Sequence, residues 1–416
     1  MRKNNYIFSL FIIGILYFIF GFVTWLNSLL IPFLRTACEL TDSQAYFVTF
    51  AFYISYFVMA IPSSWILKKT GFAKGMSVGL IVMALGALIF IPAAYERSYV
   101  LFLCGLFVMG TGLSLLQTAA NPYITILGPI ESAAKRMSIM GLFNKIAGMI
   151  GILVLGSILF SEMETLNNEI LHLTGNAREI ELNLLVQRLL MPYIIMAISL
   201  FAVSFMILLA RLPEVTQQTD TNSADDFNAQ KSIFNFPYLW LGIMALFLYV
   251  GVEVIAIDTL GLYGETQGIS KELAPKLGTF SLIALTIGYL VGIYLVPKHI
   301  SQAQALSYSA VIGFVFAVIA ICTSGITSVV FIILLSFAHS VMWPAIWPLA
   351  INDLGKHTPL ASAFLIMAIA GGAVLPLLYG SWATSIDNRH LPYLILLPCY
   401  IFIFYYATYG YKAGRR

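Results

Sequence analysis

The chain has 416 residues, of which 60% are hydrophobic, 14% aromatic and only 10% charged, with a net charge of +3. A soluble domain carries roughly 25% charged residues, and a water-soluble fold cannot hide this much apolar surface, because its buried fraction is limited by surface-to-volume scaling. A soluble enzyme, a nucleic-acid binder and a disordered chain are therefore excluded, and a polytopic membrane protein is expected.

The apolar runs are long and unbroken, which suits spanning helices of about 20 residues rather than alternating strands of about 10. Polar punctuation divides the chain into twelve segments at 7–34, 44–67, 73–94, 99–126, 137–160, 190–211, 237–262, 277–297, 303–323, 326–351, 361–383 and 391–411. The first stretch, Tyr6 to Leu34, far exceeds the roughly 7–15-residue core of a signal peptide, so it reads as a membrane helix. It carries Trp25 and Asn27. A basic stretch, Lys68 to Gly75, joins the second and third segments. Gln117 and Asn121 lie four apart in the fourth segment, hence on one helix face. The fifth holds Asn144 and Lys145. The connector 161–189 alternates acids with Leu and Ile, which suits a surface helix. Gln217 to Asp226 is polar and without periodicity, a flexible linker. The expected organisation is an N-terminal six-helix bundle (1–211), a cytoplasmic linker (212–236) and a C-terminal six-helix bundle (237–416). The seventh segment holds Glu253 and Asp258. The tenth holds His339, Trp343 and Trp347, each Trp followed by Pro, and the eleventh the Gly371-Gly372 pair.

With the N-terminus in the cytoplasm, the cytoplasmic connectors carry twice as many Lys and Arg as the outer ones, which supports both termini inside. Lys145 belongs to neither side. The cysteines Cys38, Cys104, Cys322 and Cys399 show no metal or disulfide spacing and read as small apolar residues. A faint repeat is present. A shift of 227 places Leu127-Gly128 on Leu354-Gly355 and Ile139-Met140 on Ile366-Met367, and a shift of 230 places Gly21 on Gly251. Two parallel six-helix repeats with a substrate site between them would produce this pattern.

Several motifs resemble one family. They are Gln117-Thr118-Ala119-Ala120-Asn121-Pro122-Tyr123 followed by Leu127-Gly128-Pro129, Tyr249-Val250-Gly251-Val252-Glu253-Val254, Gly355-Lys356-His357-Thr358, and Leu365 to Pro376 with its Met-Ala-Ile-Ala-Gly-Gly core. The likeness is to the fucose:proton symporter family of the major facilitator superfamily, including its glucose/galactose branch. It implies an all-α membrane protein with twelve transmembrane helices in two six-helix bundles, an inner-membrane location, and sugar uptake coupled to an ion, usually H+. The departures are informative. Ser28 stands where the family has a carboxylate, Gln117 matches the glucose/galactose branch, and Gly141-Leu142-Phe143-Asn144-Lys145 loses a Gln and gains a Lys.

Charges at membrane depth cost about 2.5–3.5 kcal/mol each on insertion scales and face a cavity or a partner. Lys145, Glu253 and Asp258 are the three candidates. Under the shift of 230 Asp258 falls on Ser28, so the proton-coupling carboxylate is expected on the symmetry-related helix; the alternative is an interfacial Asp. Glu253 reads as an ion-linked carboxylate or as a structural acid. Lys145 reads as a partner of Glu253 or Asp258, or as a site for an anionic substrate. Asn27, Gln117 and Asn144 offer amides suited to sugar hydroxyls, the alternative being interhelical glue, which is preferred for Asn121. Trp343 and Trp347 read as a sugar platform or as core, Trp25 as a lesser version of the same idea, and His339 as a hydrogen-bonded packing residue. No nucleophile-base pair, metal cluster or phosphate-binding glycine loop is legible, so no enzymatic activity, metal or cofactor is expected. The expected function is a monomeric sugar importer using proton symport and alternating access. The alternatives are a transporter of an acidic sugar or sugar-peptide fragment and a non-transporting membrane sensor.

Overall fold

A computed structural model of the chain describes residues 3–126, 133–161, 172–210, 232–296, 298–352, 354 and 357–414. Among the described residues all regular structure is helical. Twelve helical stretches are long and apolar enough to cross a membrane. They are the spans Phe8–Ala37, Asp42–Leu67, Lys69–Tyr95, Tyr99–Asn121, Ile139–Leu159, Asn176–Leu209, Pro237–Asp258, Ala274–Leu295, Gln302–Cys322, Gly325–Ile351, Leu360–Ile386 and Leu391–Thr408, numbered first to twelfth below. Each expected segment finds its helix. The largest difference is at the sixth, where Asn176–Gln187 forms a helix that leads into Leu190–Leu209, so the second half of the 161–189 connector is helical. Residues 211–231 of the expected linker, and the Leu127-Gly128-Pro129 and Gly355-Lys356 parts of the motifs, lie outside the described residues.

Local chemistry sets several ends. Thr41 and Ser301 form capping boxes with Gln44 and Gln304, satisfying the first amides of the second and ninth spans. Just inside the start of the third span the helix is broken at Gly71, whose φ of 73° is readily available only to glycine.

Charged residues at the ends of the first, third and sixth spans and the start of the second meet at one end of the bundle, as alternating antiparallel helices require. Arg178 pairs with Glu39 at 2.7 Å, Arg97 with Glu179 at 2.8 Å, and Arg35 with Asp42 at 2.7 Å. Arg389, between the last two spans, reaches the same Asp42.

Among the described residues several spans are not continuous helices, and four interruptions concern the interior of the bundle. The first breaks at Leu26, the helix of the seventh ends at Asp258 and resumes at Leu260, the tenth breaks at Ser340–Val341, and the eleventh passes through a 3-10 turn at Ala368–Ala370. Backbone carbonyls freed in apolar surroundings need internal partners. Ser28 Oγ donates to the Trp25 carbonyl at 2.8 Å, Thr259 Oγ1 to that of Ile255 at 2.7 Å, and Ser340 Oγ to that of Phe337 at 2.8 Å.

The internal repeat has a packing counterpart. A Cβ on Gly21 would lie 1.7 Å from the Asn144 carbonyl oxygen, so the first and fifth spans meet backbone to backbone there. A Cβ on Gly251, the partner of Gly21 under the shift of 230, would lie 2.9 Å from the carbonyl oxygen of Gly371, the partner of Asn144 under the shift of 227. Small residues allow this close approach where lipid supplies no hydrophobic drive between helices. Gly21→Ala and Gly371→Ala, the latter meeting the Phe247 carbonyl at 1.8 Å, are each expected to destabilise the protein by about 1–3 kcal/mol, read as a lowered Tm in detergent. Gly14→Ala, whose Cβ would sit 3.9 Å from Phe143, should leave Tm nearly unchanged.

Candidate functional site between the two halves

Among the described residues three charged side chains lie inside the bundle. Lys145 is 7% exposed, Glu253 7% and Asp258 1%. The Lys145 Nζ stands 3.5 Å from Glu253 Oε1, an ion pair longer than a good hydrogen bond. It joins the fifth span to the seventh, hence one half to the other. The same Nζ lies 4.2 Å from the centroid of the Trp25 ring, within cation–π range. Lys145 therefore meets Glu253, which of the two expected carboxylates is its ion-pair partner. Asp258 instead accepts a hydrogen bond from Thr49 Oγ1 of the second span at 3.3 Å, while its Oδ1 is buried without a hydrogen-bond partner.

The amides separate into two groups. Gln117 Nε2 donates to the Tyr56 hydroxyl at 3.0 Å, and Asn144 Oδ1 accepts from Trp25 Nε1 at 3.1 Å. Both residues are half-buried. Asn27 is 1% exposed, and both its amide atoms lack a hydrogen-bond partner. Asn121 accepts from the Tyr17 hydroxyl, linking the first and fourth spans, as an interhelical tie does. Asn27 and Trp25 flank the break at Leu26, Asp258 stands at the break in the seventh span, and Trp343 follows the break in the tenth. Broken helices place polar side chains and backbone groups where a substrate can reach them.

The two tryptophans stack on each other, with ring centroids 5.5 Å apart and planes at 24°. Each thus uses one face on the other, and Trp343 also packs near Tyr249, so the pair is less open than a free platform would be. His339 is fully buried, and its Nε2 shares a 2.7 Å hydrogen bond with the Tyr400 hydroxyl. It packs, as expected.

Sequence reasoning passed over the tyrosines. Tyr53 lies within electrostatic reach of Asp258 and Glu253, Tyr289 of Glu253, and Tyr249 precedes Glu253 by one turn on the same face. Tyr289 packs against Gly141, and Tyr53 against Gly372, each contact crossing between the halves. The spacing of Tyr53 and Tyr56, three apart on the second span, was the available signal.

One end of the site is latched. Asp42 accepts from Arg35 Nε at 2.7 Å and from Arg389 Nη2 at 2.8 Å, while Arg389 Nη1 donates to the Leu262 carbonyl at 2.9 Å. Ser43 N donates to Thr384 Oγ1 at 3.0 Å, and Tyr46 fills the space left by Gly380. Burial pushes the Glu265 carboxyl above its usual range while the neighbouring Arg389 and Arg35 pull it down. Two arginines thus face two acids, and Asp42 is shared across the halves.

The Major Facilitator Superfamily family profile matches residues 13–377. The chain belongs to this superfamily. It is 31% identical over 414 residues to a glucose/galactose transporter of Brucella abortus, covering 99% of this chain and 96% of that protein. It is 29% identical to the L-fucose-proton symporter of Escherichia coli, covering 98% and 94% of the two chains. The crystal structure of the facilitator FucP in the outward conformation superposes with a TM-score of 0.74 at 27% identity, covering 98% of this chain and 99% of that one. The facilitator fold makes this protein a multi-pass membrane protein of twelve helices in two six-helix bundles.

Two outcomes test the geometry. Lys145→Gln or Glu253→Gln alone leaves a buried charge without its partner and should destabilise by about 3–5 kcal/mol, whereas the double variant recovers much of the lost Tm. Asp42→Asn should weaken the latch. A cysteine placed at Ala45, which is fully buried, should then be labelled several-fold faster by a membrane-impermeant maleimide than in the unmodified latch.

Proposed function

We propose that this facilitator imports a sugar by proton symport with alternating access, as a monomer in the inner membrane with both termini cytoplasmic. The orientation rests on the two-to-one excess of Lys and Arg in the connectors assigned to the cytoplasm. The sugar reading rests on the relatives, which are named for glucose/galactose and L-fucose transport, and on the amides and aromatic rings gathered between the halves.

The observation that carries the coupling reading is the division of labour between the two buried carboxyls. Glu253 has Lys145 as its counter-charge. Asp258 has no ion-pair partner among the described residues, only the hydroxyl of Thr49. A carboxyl buried without a cation can shed its charge by taking a proton, and protonation state and inter-half closure then become linked. Asp258 is thus the proton carrier in this reading. Glu253 is the coupled second carboxyl, which becomes available when Lys145 moves away. Asn27, Gln117 and Asn144 take the sugar hydroxyls, and Trp343 with Trp347 bounds the ring. The engagement of Lys145 by Glu253 favours a neutral sugar over an acidic one, because the cation is already neutralised.

Uptake of a panel of neutral and acidic sugars into proteoliposomes, with and without an inward-directed proton gradient, tests this. A neutral sugar should accumulate only with the gradient. Asp258→Asn should keep sugar exchange at equal concentrations and lose accumulation. Full proton dependence in Asp258→Asn removes Asp258 from the carrier role, and ion-independent uptake by the unmodified protein removes symport.

A further inference from the structure

Trp25 makes more directed contacts with the candidate site than a packing residue needs. It is 3% exposed and stands just before the break at Leu26. Its indole N–H donates to Asn144 Oδ1 at 3.1 Å, and its ring lies 4.2 Å from Lys145 Nζ. A Cβ on Gly148 would come within 2.4 Å of its Cδ1, so that glycine leaves the ring its seat against the fifth span. Its own carbonyl accepts from Ser28 Oγ at 2.8 Å. The ring is therefore engaged by the fifth span, which is why it is a poor platform for a sugar.

We propose that Trp25 is a positioning residue for Asn144 and Lys145, and that it thereby sets the hydrogen-bonding face a sugar meets. An indole nitrogen can only donate. The Asn144 atom facing it must then be the carbonyl oxygen, and the amide NH2 is turned away with its two donors. The substrate partner at this point is accordingly an acceptor, a hydroxyl or ring oxygen lone pair. The ring also holds the Lys145 ammonium by cation–π attraction while the same ammonium reaches Glu253. One residue of the first span thus orients a neutral donor and the cation that neutralises a carboxylate of the other half. The substrate part of this inference rests on the sugar reading above.

The test uses the full-length protein in proteoliposomes and in detergent. Trp25→Phe keeps a ring over Lys145 and loses the N–H, so KM for the transported sugar should rise about tenfold with the pH profile of uptake retained. Trp25→Leu loses both contacts and should also displace the pH profile, in the same sense as Lys145→Gln. In substrate-free thermal unfolding, Trp25→Leu combined with Lys145→Gln should lose less Tm than the sum of the two single changes, because the cation–π contact is removed by either one. If Trp25→Leu does not fold, the cycle is run with Trp25→Met, which also removes the aromatic face but keeps more of the side-chain volume, and the same non-additivity is expected. Unchanged KM and pH profile in the Trp25 variants, with additive losses of Tm, would overturn the proposal. An unmodified protein that transports none of the sugars counts against the sugar reading, and the unfolding cycle still decides whether Trp25 positions Lys145.

Discussion

Moving a charge from water into a helix bundle within lipid is unfavourable unless the charge meets a counter-charge or can be neutralised by a proton, and the interior of this protein is arranged around that constraint. Lys145 and Glu253 come from different halves and meet at 3.5 Å. Each makes the other tolerable, so the pair also holds the halves in register at that level. Asp258 has the opposite solution open to it, since its neighbours supply a hydroxyl rather than a cation. Two carboxyls five residues apart on one helix thus occupy electrostatically different sites.

The backbone serves the same arrangement. The first and seventh spans are interrupted next to Asn27 and Asp258, and hydroxyls of Ser28 and Thr259 bond back to the carbonyls one turn earlier. Glycines at the corresponding places of the two halves let the first span approach the fifth and the seventh approach the eleventh backbone to backbone. Rigid packing within each half, set against contacts between halves that are partly polar, is what a rocking mechanism needs. The Asp42 latch is of the second kind: its ion pairs and the Ser43–Thr384 hydrogen bond can be exchanged for water at modest loss, whereas the glycine contacts cannot.

How far the site could be read in advance varied with residue type. Lys145, Glu253 and Asp258 stood out because charge is rare in apolar runs. Gln117, Asn121 and Asn144 stood out because amides in a lipid-spanning helix need partners. The tyrosines did not stand out, since 22 of them are spread through the chain and an aromatic side chain suits lipid, interface and core alike. Trp343 and Trp347 were visible as a pair at helical spacing, yet only their mutual stacking limits the surface they can offer. Trp25 was legible as an aromatic residue near a polar one, and its bonds to the fifth span, 119 residues away, were not.

By itself the sequence determined the membrane class, the twelve helices and their approximate limits, because length and hydropathy alone decide whether a segment can satisfy its backbone in lipid. It also determined which few residues carry charge at depth. The tertiary structure decided the pairing. Lys145 meets Glu253 and not Asp258, Asp42 is shared between Arg35 and Arg389, and Trp25 is committed to Asn144 and Lys145. The Lys145–Glu253 and Arg389–Asp42 contacts depend on how the two six-helix halves face each other, and those of Trp25 on how the first span packs against the fifth; each relates residues more than a hundred positions apart, which no local pattern encodes.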